Sequence, residues 1–571
     1  MRLQIIKSKN AASFYVVKSF FENGKHSNKV IEKLGTEKDL TEKLRGRCPY
    51  EWAKAYVAEL NRLDKEQRKE IIVRYSPVDI IDKNDQRLFN GGYLFLQKIY
   101  HELGLDKICN QITDKYKFTF DLNDILKKLI YGRVIFPSSK LNTFEESRSF
   151  IEPPNFELHN IYRGLEVIAN EMDFIQSAVY KNSLKAIKRN TGVIYYDCTN
   201  YFFEIEQEEG LKQYGVSKEH RPNPIVQMGL FMDSDGIPLA FCINPGNQNE
   251  QTTLQPLEQK IIKDFGLSKF VVCTDAGLDS MANRKFNNLG QRAFITTQSV
   301  KKLKGFLREW ALEKKGWLLF GDKKGQIFNL NEIDEALYSD STFYKDRWIN
   351  EDNLEQKLII TYSVKHKNYQ QKIRMRQLER AEKLLSKNPK KLDIANQNSY
   401  KRLIKRTACT DDGEIAKQTV LSIDNEVFEN ETQYDGFYGV CTNLDDSPEK
   451  IVAVRQQLWQ IEENFRIMKS ELKSRPVFLR RDERIKAHFV TCFLSLLVYR
   501  ILEKKLGDKF TCSDIIKTLK EHKFTKVYGE GYIPSFNRTV VTDALHDFFG
   551  FRTDTQIVTN SAMKKIISST K

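Results

Sequence analysis

Two dense runs of β-branched and aromatic residues, each carrying an aspartate at its end, constrain the fold more than any other feature of the sequence. VIYYDC (193–198) contains Asp197, and FVVCTD (270–275) ends on Asp275. Such runs are typical of strands buried in the middle of a sheet, where an ionised carboxylate is costly. Because ligands bind at the carboxyl ends of the strands in open α/β sheets, the two aspartates indicate a shared site at one edge.

Further strands and helices surround these runs and define the fold class. Between and after them we predict a hairpin of two strands, a helix, a second helix and a fifth strand: 225–233, 237–244, 253–266, 279–290 and 292–297. The hairpin turns at Asp235-Gly236, which is a common hairpin signal. The order β-β-β-α-β-α-β predicts an α/β fold with a mixed sheet flanked by helices.

A cation is the natural compensation for two neighbouring carboxylates, which otherwise repel each other. Oxygen ligands without a cluster of Cys and His favour magnesium, with manganese as a substitute. Each aspartate alone has a simpler interpretation, a turn after a strand or a helix cap, and Ala276-Gly277 after Asp275 makes that interpretation serious. The pair in this strand order favours a metal site.

A third metal ligand is expected from a helix beside the sheet. LWQIEENFRIMK has a core-facing stripe with i, i+4, i+7 spacing: Ile461, Phe465 and Met468. Glu462 borders this stripe, and Arg466 and Lys469 follow it by four and seven residues on roughly the same side. One carboxylate followed by cations suits a site that holds metal and phosphate. Spacing alone favours the simpler interpretation, a solvated face with ordinary ion pairs.

The charge balance favours a polyanionic partner. The 571 residues include 91 Lys or Arg against 76 Asp or Glu, a net charge of +15. Nucleic acid is the commonest partner of such a chain, although an ordinary basic protein has the same balance. The segment 365–391 contains ten Lys or Arg against two Glu, so it lies either on a DNA path or on a solvated face.

Cysteine usage and hydropathy exclude several other classes. The nine cysteines are scattered without a CxxC pair, which argues against a zinc ribbon and a disulfide framework. The N-terminus lacks the apolar core of a signal peptide. The apolar run 487–499 is too short to span a bilayer and predicts a buried helix. We expect a soluble, cytoplasmic protein with no membrane partner.

Six regions are expected along the chain. They are a small α+β region, a helical domain, the first part of the mixed sheet, a β-rich insertion with a basic helix, a second part with the Glu-bearing helix, and a C-terminal region: 1–75, 76–190, 191–299, 300–447, 448–505 and 506–571. A hairpin turn is expected at Asn23-Gly24. The helical domain serves either DNA binding or scaffolding.

Five stretches, in order, resemble the DDE transposases of the IS4 superfamily, most nearly its IS1634-like group. They are DCTNYFFE around Asp197, GVSKEHRPNPIVQMGLFMDSDGIPL, PGNQNEQTTL (245–254), TDAGLDS around Asp275, and LWQIEENFRIMKSELKSRPV around Glu462. The resemblance runs from about Gly192 to Arg500. It implies an RNase H-like catalytic core with Asp197, Asp275 and Glu462 as its acids. It also implies a β-rich insertion domain before the Glu-bearing helix. The predicted fold thus consists of the catalytic core, this insertion domain and the helical N-terminal region.

The signature of this superfamily around the glutamate is Tyr-x2-Arg-x3-Glu-x6-Lys. With its Glu on Glu462, its Lys falls on Lys469, its Tyr on Arg455 and its Arg on Leu458. A Leu before Trp resembles the IS1634-like group. Arg455 departs from the pattern and bears on the contact to phosphate or to a terminal base that the Tyr would make. Trp459 either stacks on a displaced base or is a core aromatic.

The resemblance implies a bacterial insertion-sequence transposase that acts by two-metal phosphoryl transfer. Two magnesium ions bridged by Asp197 would serve cleavage at the terminal inverted repeats and attack of the freed 3′-hydroxyl on target DNA. Contacts to this double-stranded DNA are expected from six residues: Lys469, Arg466, Trp459, Arg455, Lys218 and Arg221. A homodimer on DNA is expected because two element ends must be brought together. The protein is expected in the cytoplasm, associated with the nucleoid.

Two other functions fit the same residues. A non-catalytic DNA-binding derivative is favoured by Arg455 and opposed by the intact set of three acids. An RNase H-like nuclease outside transposition is opposed by the insertion and by the PGN and LWQIE stretches. Magnesium-dependent cleavage separates the first from a transposase. A requirement for specific terminal repeats, together with strand transfer, separates the second.

Overall fold

The computed structural model describes residues 1–8, 11–22, 25–44, 48–67, 71–73, 75–387, 399–409 and 415–571. The chain divides into two compact units. The smaller comprises Met1–Asp85 and Val527–Gly531, and the larger comprises Gln86–Lys526 and Tyr532–Lys571.

The smaller unit contains an antiparallel three-stranded sheet with two helices. Its elements are β1 (Arg2–Ser8), β2 (Ala11–Glu22), β3 (Lys25–Thr36), α1 (Glu37–Lys43) and α2 (Pro49–Gln67). The strand order is β1-β2-β3, and Phe14 and Leu40 are among the side chains of its small core. The predicted hairpin is formed by β2 and β3, while its turn at Asn23-Gly24 lies outside the described residues.

The larger unit begins with a short strand and six helices. They are β4 (Leu88–Asn90), α3 (Tyr93–Glu102), α4 (Leu105–Lys115), α5 (Leu122–Ile135), α6 (Lys140–Ser147), α7 (Leu158–Asn170) and α8 (Met172–Ala186). Asp121 and Ser139 cap α5 and α6 by accepting hydrogen bonds from backbone N–H groups of the first turn. The predicted break at Pro137-Ser138-Ser139 separates these two helices.

The central sheet follows with the predicted alternation. Its elements are β5 (Val193–Phe202), β6 (Ile225–Asp233), β7 (Pro238–Pro245), α9 (Leu254–Lys260, continued by a π-helical turn at Ile261–Phe265), β8 (Phe270–Thr274), α10 (Met281–Asn287) and β9 (Arg292–Gln298). Within the sheet they are ordered β7-β6-β5-β8-β9. β5, β8 and β9 are parallel, whereas β6 and β7 are antiparallel. The mixed sheet flanked by helices is therefore confirmed.

The region predicted as a β-rich insertion domain extends this sheet. It contains α11 (Gly305–Leu312), β10 (Leu318–Leu319), β11 (Thr342–Glu351), β12 (Leu354–Ser363), α12 (Val364–Leu385), β13 (Ile404–Cys409), β14 (Ile415–Ile423), α13 (Asn425–Thr432) and β15 (Phe437–Thr442). β15 pairs with β9, and the order continues through β12 and β11 to β10, which gives nine strands. Among the described strands of this region, β13 and β14 alone form a separate sheet. The separate insertion domain stays a prediction: the region has a hydrophobic core largely of its own, but it also pairs with β9 and so satisfies an edge that would otherwise be open.

The chain ends with helices and three short strands. They are α14 (Pro448–Gln456), α15 (Trp459–Arg466, continued by a π-helical turn at Ile467–Glu471), α16 (Asp482–Lys505), α17 (Cys512–Glu521), β16 (Lys523–Val527), β17 (Gly531–Pro534), α18 (Val540–Phe549), β18 (Val558–Thr559) and α19 (Asn560–Ser569). By length and hydropathy alone α16 could cross a membrane, but 94% of its most apolar window is buried inside the protein. The prediction of a buried helix at 487–499 is confirmed.

One large core joins these regions around α16. α5 and α7 pack against this helix, and residues of α17, α18 and α19 belong to the same core. The side chain of Asn90, at the end of β4, donates hydrogen bonds to the carbonyls of Leu519 (2.9 Å) and Lys520 (3.1 Å). The helical region before the sheet and the region after residue 505 thus share a core.

Candidate active site

Asp197 and Asp275 lie side by side on two neighbouring parallel strands. β5 and β8 pair in register as far as Tyr196 and Thr274, so that the two aspartates are the next pair along. Adjacent strands lie about 4.8 Å apart. Asp275 directly follows the last residue of β8, as predicted, whereas β5 continues five residues beyond Asp197 to Phe202, so the expectation that Asp197 ends its strand is wrong. The structure therefore brings the two carboxylates to one place.

Asp197 is a partly buried carboxylate whose charge is incompletely compensated. Burial raises its pKa to about 6, and the attraction of Lys218 opposes that rise. Its Oδ1 accepts a hydrogen bond from the backbone N–H of Cys198 (2.7 Å). The neighbouring charges of Glu250 and Asp275 raise the pKa further. A carboxylate shifted by burial and by like charges is typical of a functional site, and a cation would relieve the repulsion.

One face of β5 lies under the helical segment 448–471. Three hydrogen bonds join the two, at 3.0, 2.6 and 3.7 Å: the Tyr195 hydroxyl to the Val454 carbonyl, the Lys469 ammonium to the Thr199 hydroxyl, and the Tyr201 hydroxyl to the Met468 sulfur. Side chains of a strand alternate between its faces, so Asp197 shares the face of Tyr195 and Thr199. The helical segment therefore covers the side of the sheet that carries Asp197.

The core-facing stripe of α15 fixes this segment on the sheet. Ile461, Phe465 and Met468 are buried, as their spacing predicted. The buried amide of Asn464 donates a hydrogen bond to the carbonyl of Gly236, in the turn between β6 and β7 (3.0 Å). The position of Glu462 over the sheet thus follows from the residues beside it.

Glu462 lies midway between two residues that reach the aspartates. Arg455 lies near the end of α14, before the turn at 457–458, and Lys469 lies in the π-helical turn after α15, so the two residues flank the helix that carries Glu462. Arg455 Nη2 is 3.5 Å from Asp275 Oδ1, and Lys469 contacts Thr199, two residues after Asp197. Glu462 therefore lies on a helix whose two flanking segments contact Asp275 and β5.

The Glu462 carboxylate itself does not join the aspartates. It is exposed and pairs with no residue that the structure describes. Throughout the described ranges, no three His, Cys, Asp or Glu side chains converge as a metal-binding group. The structure thus assembles two of the three predicted ligands and leaves the third on a neighbouring helix.

Arg455, at the position where the resembled signature has Tyr, is anchored beside Asp275. Its Nε donates a hydrogen bond to the Thr297 hydroxyl on β9 (3.1 Å). Its guanidinium lies 4.4 Å from the ring centre of Tyr438 on β15. These contacts hold a permanent positive charge at the edge that carries the two aspartates.

Lys218 supplies a second positive charge. Its ammonium donates a hydrogen bond to the carbonyl of Cys198 and lies 3.3 Å from a carboxylate oxygen of Glu250. Glu250 is therefore a site residue that the sequence analysis did not single out. Its signal was present in PGNQNEQTTL, where a Glu follows a turn-forming stretch, but nothing in that pattern tied it to Asp197.

Lys469 supplies a third charge, and an acidic residue holds it. Burial and the nearby Lys218 lower its pKa to about 8, against the attraction of Asp197. Lys469 Nζ lies 3.7 Å from Glu219 Oε1, and Glu219 also pairs with Arg475. Glu219 and Arg475 are further residues that the sequence analysis missed, although both lie within the stretches that carried the resemblance.

Of the remaining predicted DNA contacts, Arg221 reaches this cluster, with its Nε 3.7 Å from Glu219 Oε2, while Arg466 and Trp459 lie outside it. Arg466 makes two hydrogen bonds to Glu463, both 2.7 Å, and points to that neighbour instead of the aspartates. Arg221 stacks on the ring of Phe202 at 4.1 Å. Trp459 is 59% exposed, so the alternative of a core aromatic is wrong. Its exposed ring remains available for stacking.

The basic segment 365–391 is partly structural. It forms α12 up to Leu385, and residues 388–391 lie outside the described part of the chain. Arg374 is buried and pairs with Asp435, so it belongs to the packing of this helix. Lys365 is exposed and 3.4 Å from Asp340. Only some of the positive charges predicted to face DNA are therefore free to do so.

The chain has similarities to known proteins. Among solved structures it is similar to a cryo-EM structure of the piggyBac transposase synaptic complex with hairpin DNA, with a TM-score of 0.37 and 8% sequence identity over 84% of this chain and 85% of that chain. No curated protein matches the chain. Residues 202–498 match the family described as the transposase DDE domain. That region begins five residues after Asp197, includes Asp275 and Glu462, and covers more than half of the 571 residues. The chain therefore belongs to the family of proteins with a transposase DDE domain.

Proposed function

We propose that this chain is the transposase of a bacterial insertion sequence, which cleaves the ends of its element and joins them to target DNA. The observation that carries the proposal is the adjacency of Asp197 and Asp275, each directly after the last in-register pair of β5 and β8, in a chain of the DDE family. The five stretches that resemble the IS4 superfamily support its placement near the IS1634-like group. The strand order β7-β6-β5-β8-β9 supports an RNase H-like catalytic core.

Asp197, Asp275 and Glu462 would hold the magnesium ions of a two-metal site. The donor chemistry fits: carboxylate oxygens are the ligands that magnesium prefers, and the pKa of Asp197 is raised by its burial and then by the negative charges of Glu250 and Asp275. Magnesium, when bound, would activate the attacking water or 3′-hydroxyl and stabilise the leaving oxygen. Manganese has the same ligand preferences and would substitute.

Glu462 would complete the metal site by turning towards the aspartates. Its carboxylate forms no hydrogen bond or ion pair with any described residue, so none has to be broken for it to turn. Buried residues on either side of it fix its helix on the sheet. The contacts of Arg455 with Asp275 and of Lys469 with Thr199 hold the backbone of Glu462 near the two aspartates. A side-chain rotation is therefore a smaller change than a movement of the helix.

Lys469 and Lys218 would hold phosphate oxygens of the DNA next to the reacting bond. Both ammonium groups lie near Asp197: Lys218 lowers the pKa of Asp197, and Asp197 raises the pKa of Lys469. A phosphate beside Lys469 would restore the pKa that burial lowers, and would form charge-assisted hydrogen bonds. The DNA substrate would carry the terminal inverted repeats. Two copies of the chain, working in the bacterial cytoplasm at the nucleoid, would hold the two ends.

A non-catalytic DNA-binding derivative is the second candidate, and one observation favours it. The guanidinium of Arg455 lies against Asp275, where a metal ion would otherwise be the counter-charge. Such a protein would bind the element ends without cutting them.

A cleavage assay separates these candidates. Labelled duplexes carrying the element ends, or the same bases in scrambled order, are incubated with the protein and magnesium, with and without a target plasmid. The proposed transposase releases 3′-hydroxyl ends only from the authentic duplex and joins them to the plasmid. Binding without cleavage supports the non-catalytic derivative. Equal cleavage of both duplexes without joining would indicate a nuclease outside transposition.

A further inference from the structure

A cavity of about 280 Å³ lies between the loop after α5 and the loop that follows α15. Its cationic lining comes from Arg133, Lys140, Lys473 and Arg475, and among the described residues that line it there is no Asp or Glu. We call it the Lys140 pocket. A concave site with several positive charges and no acid among its walls has the chemistry of an anion site.

Lys140 is buried in this pocket without a counter-charge. It is 6% exposed, and its ammonium lies 3.5 Å from Nδ1 of His488. It forms no ion pair with any described carboxylate. Burial and the nearby charge of Arg133 lower its pKa to about 7. A buried ammonium that lacks an anion destabilises the protein. Binding of an anion beside Lys140 would remove this cost.

Arg133 is held in the same pocket by carbonyl groups alone. It is 4% exposed, and its two terminal nitrogens donate to the carbonyls of Leu472, Lys473 and Ser138 at 3.3, 3.2 and 3.1 Å. Its Nε has no hydrogen-bond partner among the described residues. These neutral partners position the guanidinium and leave its charge unneutralised. The pKa of the adjacent His488 is lowered by burial and by the two cations, so this ring adds no charge.

The pocket adjoins the end of β5, the strand that carries Asp197, through Val477, which lies between the lining residues Pro476 and Phe478. The backbone N–H of Val477 donates to the carbonyl of Phe202, at the end of β5 (3.1 Å). Phe202 is five residues beyond Asp197 on one strand, which corresponds to about 17 Å. Successive nucleotides of one DNA strand rise about 3.4 Å each along the helix axis. A DNA strand that reaches Asp197 can therefore pass this pocket about five nucleotides away.

Exposed apolar side chains rim the same pocket. Phe478 is 68% exposed and Leu141 is 51% exposed, and Tyr162 lines the wall between them. Cations combined with exposed aromatic rings are typical of surfaces that follow a nucleic-acid strand, since the rings contact sugars and bases. A free phosphate ion would use the cations alone.

We propose that the Lys140 pocket binds a backbone phosphate of the DNA strand, away from the bond that is cut. The inference rests on the proposed function, since it takes DNA as the ligand. Lys140 and Arg133 would neutralise the phosphate, and Arg475 would link the pocket to the active site through its pair with Glu219. Binding at this point would fix the register of the strand on the enzyme, because phosphate contacts position DNA without reading its sequence.

The test compares K140M with wild type in the full-length chain. Binding to a labelled duplex with the element ends is measured by fluorescence anisotropy at pH 6.5 over a series of salt concentrations. Loss of one phosphate contact should weaken binding roughly tenfold and lower the slope of log K against log salt by about 1. The melting temperature of free K140M should equal or exceed that of wild type. K140R, which keeps the charge, should keep the slope.

Lys128 supplies the matched control. It is also buried, but it lies 3.8 Å from Asp124 and donates to the carbonyl of Glu152. K128M should lower the melting temperature and leave the salt slope unchanged. An equal loss of binding in K128M, or wild-type slope and affinity in K140M, would overturn the pocket and leave the proposed function intact.

Two further outcomes separate the other possibilities. A wild-type protein that binds no DNA would overturn the proposed function and the pocket together. Inorganic phosphate that raises the melting temperature of wild type but not of K140M, while both bind DNA alike, would identify a free-phosphate site and overturn the DNA assignment.

Discussion

At the scale of single residues, the candidate site holds charges that its own fold does not balance. Asp197 is partly buried with two acids nearby, and Lys469 is partly buried beside another lysine. Both arrangements cost free energy in the free protein. Proteins tolerate such costs mainly where function requires them. Asp197, which the resemblance assigned to metal binding, and Lys469, which it assigned to phosphate binding, therefore destabilise the free protein.

Replacement of Asp197 by Asn should stabilise the protein at neutral pH in the absence of metal. The pKa of Asp197 is raised from 3.8 to about 6, so its ionisation in the folded state costs up to about 3 kcal/mol. This cost is absent below pH 3.8, develops between pH 3.8 and 6, and is complete above pH 6. Thermal unfolding at pH 8 and at pH 4 measures it: the advantage of the variant should be large at pH 8 and vanish at pH 4. Equal stability of both proteins at pH 8 would contradict this account.

Replacement of Arg455 by Tyr should strengthen metal binding at the aspartates. The guanidinium lies 3.5 Å from Asp275 and competes with a metal ion for that carboxylate. Because the pair is partly exposed, we expect an increase on the order of fivefold. Calorimetric titration with manganese checks it, and R455K, which keeps the charge, should resemble wild type. Weaker binding in R455Y would show that Arg455 supports the site.

At the scale of elements, periodicity predicted which faces are buried but not which strands pair. The stripe on α15 is confirmed because a helical period of 3.6 leaves one arrangement that buries three apolar side chains. Arg466 has the spacing to face the site, yet it pairs with Glu463, since i+3 and i+4 partners compete for the same side chain. The strands of the predicted insertion were visible as β-rich runs. Their union with β9 depends on contacts between residues more than 140 apart, which local patterns do not encode.

Replacement of Gly439 by Ala tests that union. A Cβ at this position of β15 would lie 2.5 Å from the backbone oxygen of Gln298 on β9, where neither strand can easily yield. We expect a loss of about 1–3 kcal/mol in the free energy of unfolding, measured by denaturant titration. Gly305, around which a Cβ would meet nothing within 4 Å, is the control. A neutral G439A would argue against the pairing of β15 with β9.

At the scale of the whole chain, α16 organises the larger unit. Its apolar character predicted burial but could not tell which regions cover it, since an apolar helix accepts any apolar face. The structure surrounds it with helices from before the sheet and from the C-terminal region. The helical region before the sheet packs against α16, which is the scaffolding role that the sequence allowed. Through Lys140 and Arg133 the same region would also bind DNA.

Replacement of Asn90 by Ala should weaken the joint between the two ends of the larger unit. Asn90 is 2% exposed, and its amide donates to the carbonyls of Leu519 and Lys520, which would be left buried without partners. We expect a loss of about 1–3 kcal/mol. Asn350, an exposed residue of β11, should change stability by less than about 0.5 kcal/mol when replaced by Ala. Equal effects of the two variants on the unfolding midpoint would contradict the joint.

The central claim is that Asp197, Asp275 and Glu462 form one catalytic site on DNA. Its most direct test is magnesium-dependent cleavage of a duplex with the element ends by wild type, D197N, D275N and E462Q, with DNA binding measured in parallel. E250Q is the control, because Glu250 also acts on Asp197 but is outside the proposed ligand set. The account predicts that the three variants bind DNA as wild type does and lose cleavage by at least about a thousandfold, while E250Q retains most of it. Cleavage that survives in D197N, or that is lost in E250Q and kept in E462Q, would contradict the assignment.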